Sequence, residues 1–125
     1  MRLRTLCIGL AVLSLTACAL AEDERTPIGP GNPSSAYCQQ AGFTLSASVN
    51  DAGVEAALCN FADGGACEEW AFFRAECGQE ASYCSTHGGR VTNVKTATTS
   101  AATCTLNGVT CDEGSFAKTG KCTAR

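Results

Sequence analysis

Eight cysteines fall in two sets of four at nearly the same spacing, and that arrangement leaves the chain few ways to fold. Tyr37-Cys38 opens a segment with cysteines at 38, 59, 67 and 77, and Tyr83-Cys84 opens another with Cys84, Cys104, Cys111 and Cys122. The successive separations are 21, 8 and 10 in the first segment and 20, 7 and 11 in the second. Other residues keep step. Gly42 matches Gly88, Phe61 matches Leu106, Asp63-Gly64 matches Asn107-Gly108, Glu68-Glu69 matches Asp112-Glu113, Phe72 matches Phe116 and Arg74 matches Lys118. Two copies of one four-cysteine unit of about 40 residues account for the pattern. Such small units bury little apolar core, so bridges worth roughly 2–4 kcal/mol each decide whether the chain folds.

An even number of cysteines in a small exported chain implies disulfides formed in an oxidising compartment. The N-terminus supplies the export. MRLR is a two-arginine n-region, and LCIGLAVLSL is an apolar run shorter than the roughly 20 residues that span a bilayer. It ends in Leu15-Thr16-Ala17-Cys18, which resembles the bacterial lipobox, where the cysteine is lipid-modified and becomes the mature N-terminus. The alternative is ordinary secretory cleavage near Ala17-Cys18-Ala19-Leu20-Ala21. Fatty chains such as palmitate on Cys18 contribute about 0.8 kcal/mol of membrane affinity per buried methylene. Residues 1–17 are therefore expected to be a lipoprotein signal peptide. The expected location is the bacterial cell envelope, lipid-anchored on the periplasm-facing side of the outer membrane.

Residues 18–32 are charged and then rich in Pro and Gly, and read as a flexible tether with a reach of roughly 20 Å. The first unit then runs from 33 to 77 and the second from 78 to 125. Cleavage before Cys18 leaves 108 residues with 7 Lys+Arg against 12 Asp+Glu, net −5. This disfavours nucleic acid, which needs clustered basic residues. The charge is unevenly divided: residues 37–77 carry −5 and residues 83–122 carry +2. Three readings fit: the units dock across the linker GQEAS, they present different faces to partners, or the charges have drifted on solvated surfaces.

Within a unit the turn residues order the elements. Asn32 is a good N-cap with Pro33 at the first helical position, so Pro33 to Ala41 reads as a short helix that Gly42 stops. FTLSASV alternates as a half-buried strand, and VEAALCNF is its return. ADGG turns the chain into Ala66-Cys67. In the second unit that turn is Asn107-Gly108, the strongest two-residue hairpin signal. EEWAFFRAE follows as a helix with acidic residues in its first turn, blurred in the second unit by Gly114 and Gly120. The fold class is α+β: small disulfide-rich units, each a short helix, a three-stranded antiparallel hairpin sheet and a second short helix.

Four cysteines allow three pairings per unit. A helix between Cys67 and Cys77 would hold their Cα atoms about 15 Å apart, and a disulfide tolerates only about 7 Å. This removes Cys67 with Cys77, and with it Cys38 with Cys59. Two options remain: Cys38–Cys67 with Cys59–Cys77, or Cys59–Cys67 with Cys38–Cys77. Across the Asn107-Gly108 turn, Cys104 and Cys111 stand opposite each other, close enough to bridge; sharing a face, each could equally reach a helix.

Reactive chemistry finds little here. Zinc sites bring ligands in close C-x₂₋₄-C pairs, and none exists, so no metal or cofactor is expected. No C-x-x-C redox motif is present. His87, in STHGG, has no partner motif. Asp63, Glu68 and Glu69 crowd one corner, where acid/base work or Ca²⁺ binding is conceivable. They read more simply as a turn residue and two helix-start residues. Trp70, Phe72, Phe73 and Arg74 form the densest aromatic patch. Core packing is the plain reading, and a Trp70/Arg74 recognition anchor is the functional one.

The segment NPSSAYCQQAGFTL…CNFADGGACEEWAFFRAEC resembles a family of small cysteine-rich bacterial domains of unknown function, often given a haemolysin label. The pattern is N-P-A-S-x-Y-C, a glycine, then C-x-x-P-D-G-x-x-C-x-E-W-x-x-x-R-G-x-C. Asn32-Pro33, Tyr37-Cys38, Cys59, Asp63-Gly64, Cys67, Glu69-Trp70, Arg74 and Cys77 fit it; Ala62 and Ala75 depart. The second unit keeps the cysteines without the Asn-Pro start or the Glu-Trp pair, as a degenerate copy would. The resemblance implies export and lipid anchoring and supplies no catalytic residues. Nothing in the mature chain is amphipathic and long enough to form a pore. The expected function is a non-enzymatic, lipid-anchored envelope protein acting as a binding or structural module. It is held to the membrane through Cys18 and meets a protein partner in the envelope. The alternative is a secreted inhibitor or toxin-like protein acting on another protein.

Overall fold

The structure, a computed structural model, describes residues 31–49 and 51–125. The expected signal peptide, the expected lipidation site Cys18 and most of the expected tether lie outside the described residues. Helix α1 (Pro33–Gln40) opens the fold. Asn32 caps it in extended conformation, its Oδ1 accepting from Ser34 N at 3.1 Å, with Pro33 pre-set for the first turn. Gly42, at φ 93°, then turns the chain out of the helix.

Strands β1 (Thr44–Val49), β2 (Glu55–Asn60) and β3 (Ala66–Glu68) form an antiparallel sheet in that order, with Leu45 opposite Cys59 and Cys59 opposite Cys67. Helix α2 (Glu69–Phe73) follows directly. The second half repeats the order: a 3₁₀ turn at Gln79–Ala81, helix α3 (Tyr83–Thr86), strands β4 (Arg90–Lys95), β5 (Ser100–Leu106) and β6 (Val109–Asp112), and helix α4 (Glu113–Thr119). Asn107 and Gly108 both take positive φ, 51° and 80°, as the tight hairpin turn between β5 and β6 requires. The expected α+β class is what the molecule shows.

The disulfides correct the sequence reading. The bridges are Cys38–Cys59, Cys67–Cys77, Cys84–Cys104 and Cys111–Cys122, with Cα separations of 5.8, 6.0, 5.6 and 5.3 Å. These are the pairings the helix-length argument removed. That argument assumed a helix filling the whole interval from Cys67 to Cys77. In fact α2 has five residues, about 7.5 Å of rise. Ala75 then enters the left-handed region at φ 56°, and Glu76 N donates back to Ala71 O at 2.8 Å. The chain doubles back, and Cys77 returns to Cys67. Cys59 and Cys67 lie opposite each other on one sheet face and each reaches away to a helix or loop, as Cys104 and Cys111 also do.

The last helix corrects a second expectation. α4 runs seven residues, two more than α2. Gly114 lies in its first turn, and Gly120, at φ 72°, is its left-handed C-cap, so neither interrupts it.

The first core gathers Tyr37, Cys38, Cys59, Cys67 and Phe72, with Phe43 and Phe61 packed against it. Tyr37–Phe72 and Phe61–Phe72 ring centroids are each 5.0 Å apart. The second core, Cys84, Cys104, Cys111 and Phe116, is mostly sulfur. The units are docked. α1 packs on both α2 and α4, and α4 on both α1 and α3, so the helices form a row α2–α1–α4–α3. Each unit contributes its second helix and then its first, the order that a translation along the row produces.

Candidate functional site

Trp70 lies at the start of α2 because Glu68 caps that helix with both carboxylate oxygens, which accept from Trp70 N and Ala71 N at 3.0 Å each. Glu69, next along, is buried and accepts from Ser35 Oγ and, at 3.4 Å, from Asn32 Nδ2. This ties α2 to the N-terminus of α1. Asp63 is used in the preceding turn, its Oδ1 accepting from Gly65 N at 2.8 Å. The three acidic residues that crowd one corner of the sequence therefore have three separate structural tasks.

The Trp70 indole is half-buried, edge-on to Phe73 with centroids 5.8 Å apart. It lines a cleft of about 240 Å³ together with Asn32, Glu55, Ala57, Glu68 and Glu69. The ring is neither sealed in the core nor fully exposed. The carboxylates around it, with the exposed Glu55 on the rim, give the cleft a negative field suited to cationic groups.

Arg74, the other half of the expected Trp70/Arg74 anchor, is not part of this cleft. Its guanidinium pairs with Glu76, Nε to Oε1 at 3.3 Å, and its carbonyl accepts from Asn93 Nδ2 at 2.6 Å. Glu76 Oε1 also accepts from Ser100 Oγ at 2.7 Å and lies 3.8 Å from Lys95 Nζ. Those bonds hold the Glu76 carboxyl below the ordinary carboxylate range, the Ser100 hydrogen bond leading and the Arg74 bond next. Arg74 thus belongs to the junction between the units.

The centre of that junction was missed from sequence. Tyr37 OH donates to Glu113 Oε1 at 2.5 Å and accepts from Tyr83 N at 3.1 Å, while the same Glu113 oxygen accepts from Cys84 N at 2.9 Å. Glu113 is fully buried, and its Oε2 has no partner. Burial is the main influence on its carboxyl and raises its pKa, against the Tyr37 and Cys84 bonds that lower it. Burial, followed by the charge of Glu113, likewise pushes the Tyr37 hydroxyl far up. Beside them Gly114 receives Phe73: a β-carbon there would meet the ring at 3.0 Å. The available signal was that Tyr and Glu recur at matched positions in both units, Tyr37 with Tyr83 and Glu69 with Glu113, whereas Trp70 is matched by Gly114. A groove of about 390 Å³ between α1 and α4 is lined by residues of both units, Tyr37, Phe73 and Gly114 among them.

His87 stacks on the Tyr83 ring at 3.9 Å between centroids, with Nδ1 donating to Tyr83 O at 2.7 Å. Two cysteine groupings have metal-like geometry, Cys104 with Cys111 and Cys122, and Cys84 with Cys104 and Glu113. Every sulfur in them is consumed by a disulfide, so none is available as the thiolate a metal requires. Among the described residues no helix is long and apolar enough to cross a membrane.

No curated protein and no solved structure matches the chain. Residues 29–76, which take in the first unit up to Glu76, match the model of a family described as a domain of unknown function (DUF333).

Proposed function

We propose that the chain is an exported, lipid-anchored envelope protein that acts as a non-catalytic binding or structural module, with the Trp70 cleft of its first unit as the binding face. One observation carries the reading. The cleft at Trp70 is uncovered, whereas the matching positions Gly114 and Ser100 of the second unit are contacted by the first unit itself, through Phe73 and Glu76. A scaffold stapled by four disulfides holds such a face without the entropy loss of ordering a mobile one. The anchoring part rests on the n-region, apolar run and Leu15-Thr16-Ala17-Cys18 of the sequence.

Two measurements test the parts separately. Palmitate labelling with membrane fractionation should place the wild-type chain in the membrane and release Cys18→Ala; a Cys18→Ala chain that stays membrane-bound sinks the anchoring. Capture from envelope extracts should retain a binding partner with the wild-type chain and lose it with Trp70→Ala. Retention by that variant, with its circular dichroism unchanged, sinks the binding face.

A further inference from the structure

The junction inside the molecule shows what a cleft of this shape receives. By cysteine alignment, the positions matching Glu55, Glu69 and Trp70 in the second unit are Ser100, Glu113 and Gly114. All three are covered by the first unit. Ser100 Oγ donates to Glu76, Glu113 accepts from Tyr37, and Gly114 lies against the Phe73 ring. The covering segment is the stretch from Phe73 to Glu76 that follows α2.

The stretch that follows α4 is its counterpart, with Ala117 for Phe73, Lys118 for Arg74, Lys121 for Glu76 and Cys122 for Cys77. Size and charge are both reversed. At the internal junction a large ring, Phe73, meets a position with no side chain, Gly114. Ala117 is buried against the first unit of its own molecule, so an outward contact of this kind rests on charge and not on size. Inside, the Glu76 carboxylate is received by Ser100 and Lys95. Outside, Lys121 would be received by Glu55, with Val49 in the place of Lys95 and no cation to oppose it. The whole units agree: residues 37–77 carry −5 and residues 83–122 carry +2.

We propose that the Trp70 cleft docks the second unit of another copy of this chain, with the second copy's Lys121 reaching Glu55. Lys118, Lys121 and Glu55 are exposed and so available, whereas Ala117 and the Tyr83 ring are already packed within the molecule. The contact places α2 of one copy on α3 of the next and continues the row α2–α1–α4–α3. Such a contact is head-to-tail and propagates along a line of anchored molecules. The inference rests on the reading of the Trp70 cleft as a binding face and names its occupant.

The test is co-capture of two differently tagged full-length copies solubilised from one membrane. Wild-type copies should retain each other. Glu55→Lys in both copies, or Lys121→Glu in both, should lower recovery at least about fivefold by opposing like charges, and the double variant should restore it. Trp70→Ala should also lower it. Unchanged circular dichroism confirms that these surface variants fold. The inference is overturned if wild-type copies do not retain each other, if single charge variants recover like wild type, or if the double variant fails to recover. Should the copies ignore each other while Trp70→Ala still abolishes capture of a different protein, the inference falls and the binding face stands. Should Trp70→Ala change neither, both fall.

Discussion

Glu113 carries a cost and a benefit in one side chain. Its Oε1 satisfies a hydroxyl from the first unit and a backbone amide from the second, while its buried Oε2 meets no donor. A carboxyl in that position is better neutral than charged. The groups that face it are Tyr37, the Cys84 amide, and at longer range Asp112, which raises its pKa, and His87, which lowers it. The sign of the pH effect follows. With the folded-state pKa above the unfolded one, the folded chain holds the proton more tightly. The contribution is complete below the ordinary carboxylate pKa of about 4.3 and is lost as pH rises through the raised value. Glu113→Gln removes the titration. The difference in unfolding free energy between wild type and this variant, followed by urea titration, should shift in favour of the variant from about pH 4 upward. A pH-independent difference would mean that Glu113 is not held neutral.

Between elements, small residues decide which surfaces meet. α4 packs beside α1 because Gly114 leaves room for the Phe73 ring, whereas Trp70 at the matching place in α2 projects into an open cleft. An ordinary helix glycine changed to alanine gains up to about 1 kcal/mol. Gly114→Ala is expected to show no such gain, because the new β-carbon would lie 3.0 Å from Phe73 and the ring must move. Urea denaturation midpoints measure this, and a full gain would show that the ring is not seated there.

The same scale shows what could be read from sequence. Asn32-Pro33, the alternation in FTLSASV and the Asn107-Gly108 turn each act within a few residues, and each gave its element. The bridges were misread because their partners depend on how α2 ends, and that depends on Ala75, a non-glycine residue at φ 56°. Nothing local announces that conformation; the resembled pattern has glycine there. The Tyr37–Glu113 contact spans 76 residues and stayed hidden for the same reason. Trp70 has Gly114 at its matching place in the second unit, while Arg74, adjacent to it in sequence, pairs with Glu76 and Asn93 at the junction instead.

At the scale of the whole molecule, two halves with the same element order and the same bridge pattern meet so that the first covers part of the second and keeps its own matching cleft open. Charge follows the same division, negative where the cleft is open and positive in the unit already engaged. This correspondence holds only if the bridges pair alike in both halves, because they bring Cys77 back to Cys67 and so carry the stretch from Phe73 to Glu76 to the junction. Peptide mapping of the unreduced protein tests it most directly. Four linked peptide pairs are expected, Cys38 with Cys59, Cys67 with Cys77, Cys84 with Cys104 and Cys111 with Cys122. A peptide joining Cys38 or Cys59 to Cys67 or Cys77, or one joining the first unit to the second, would contradict it.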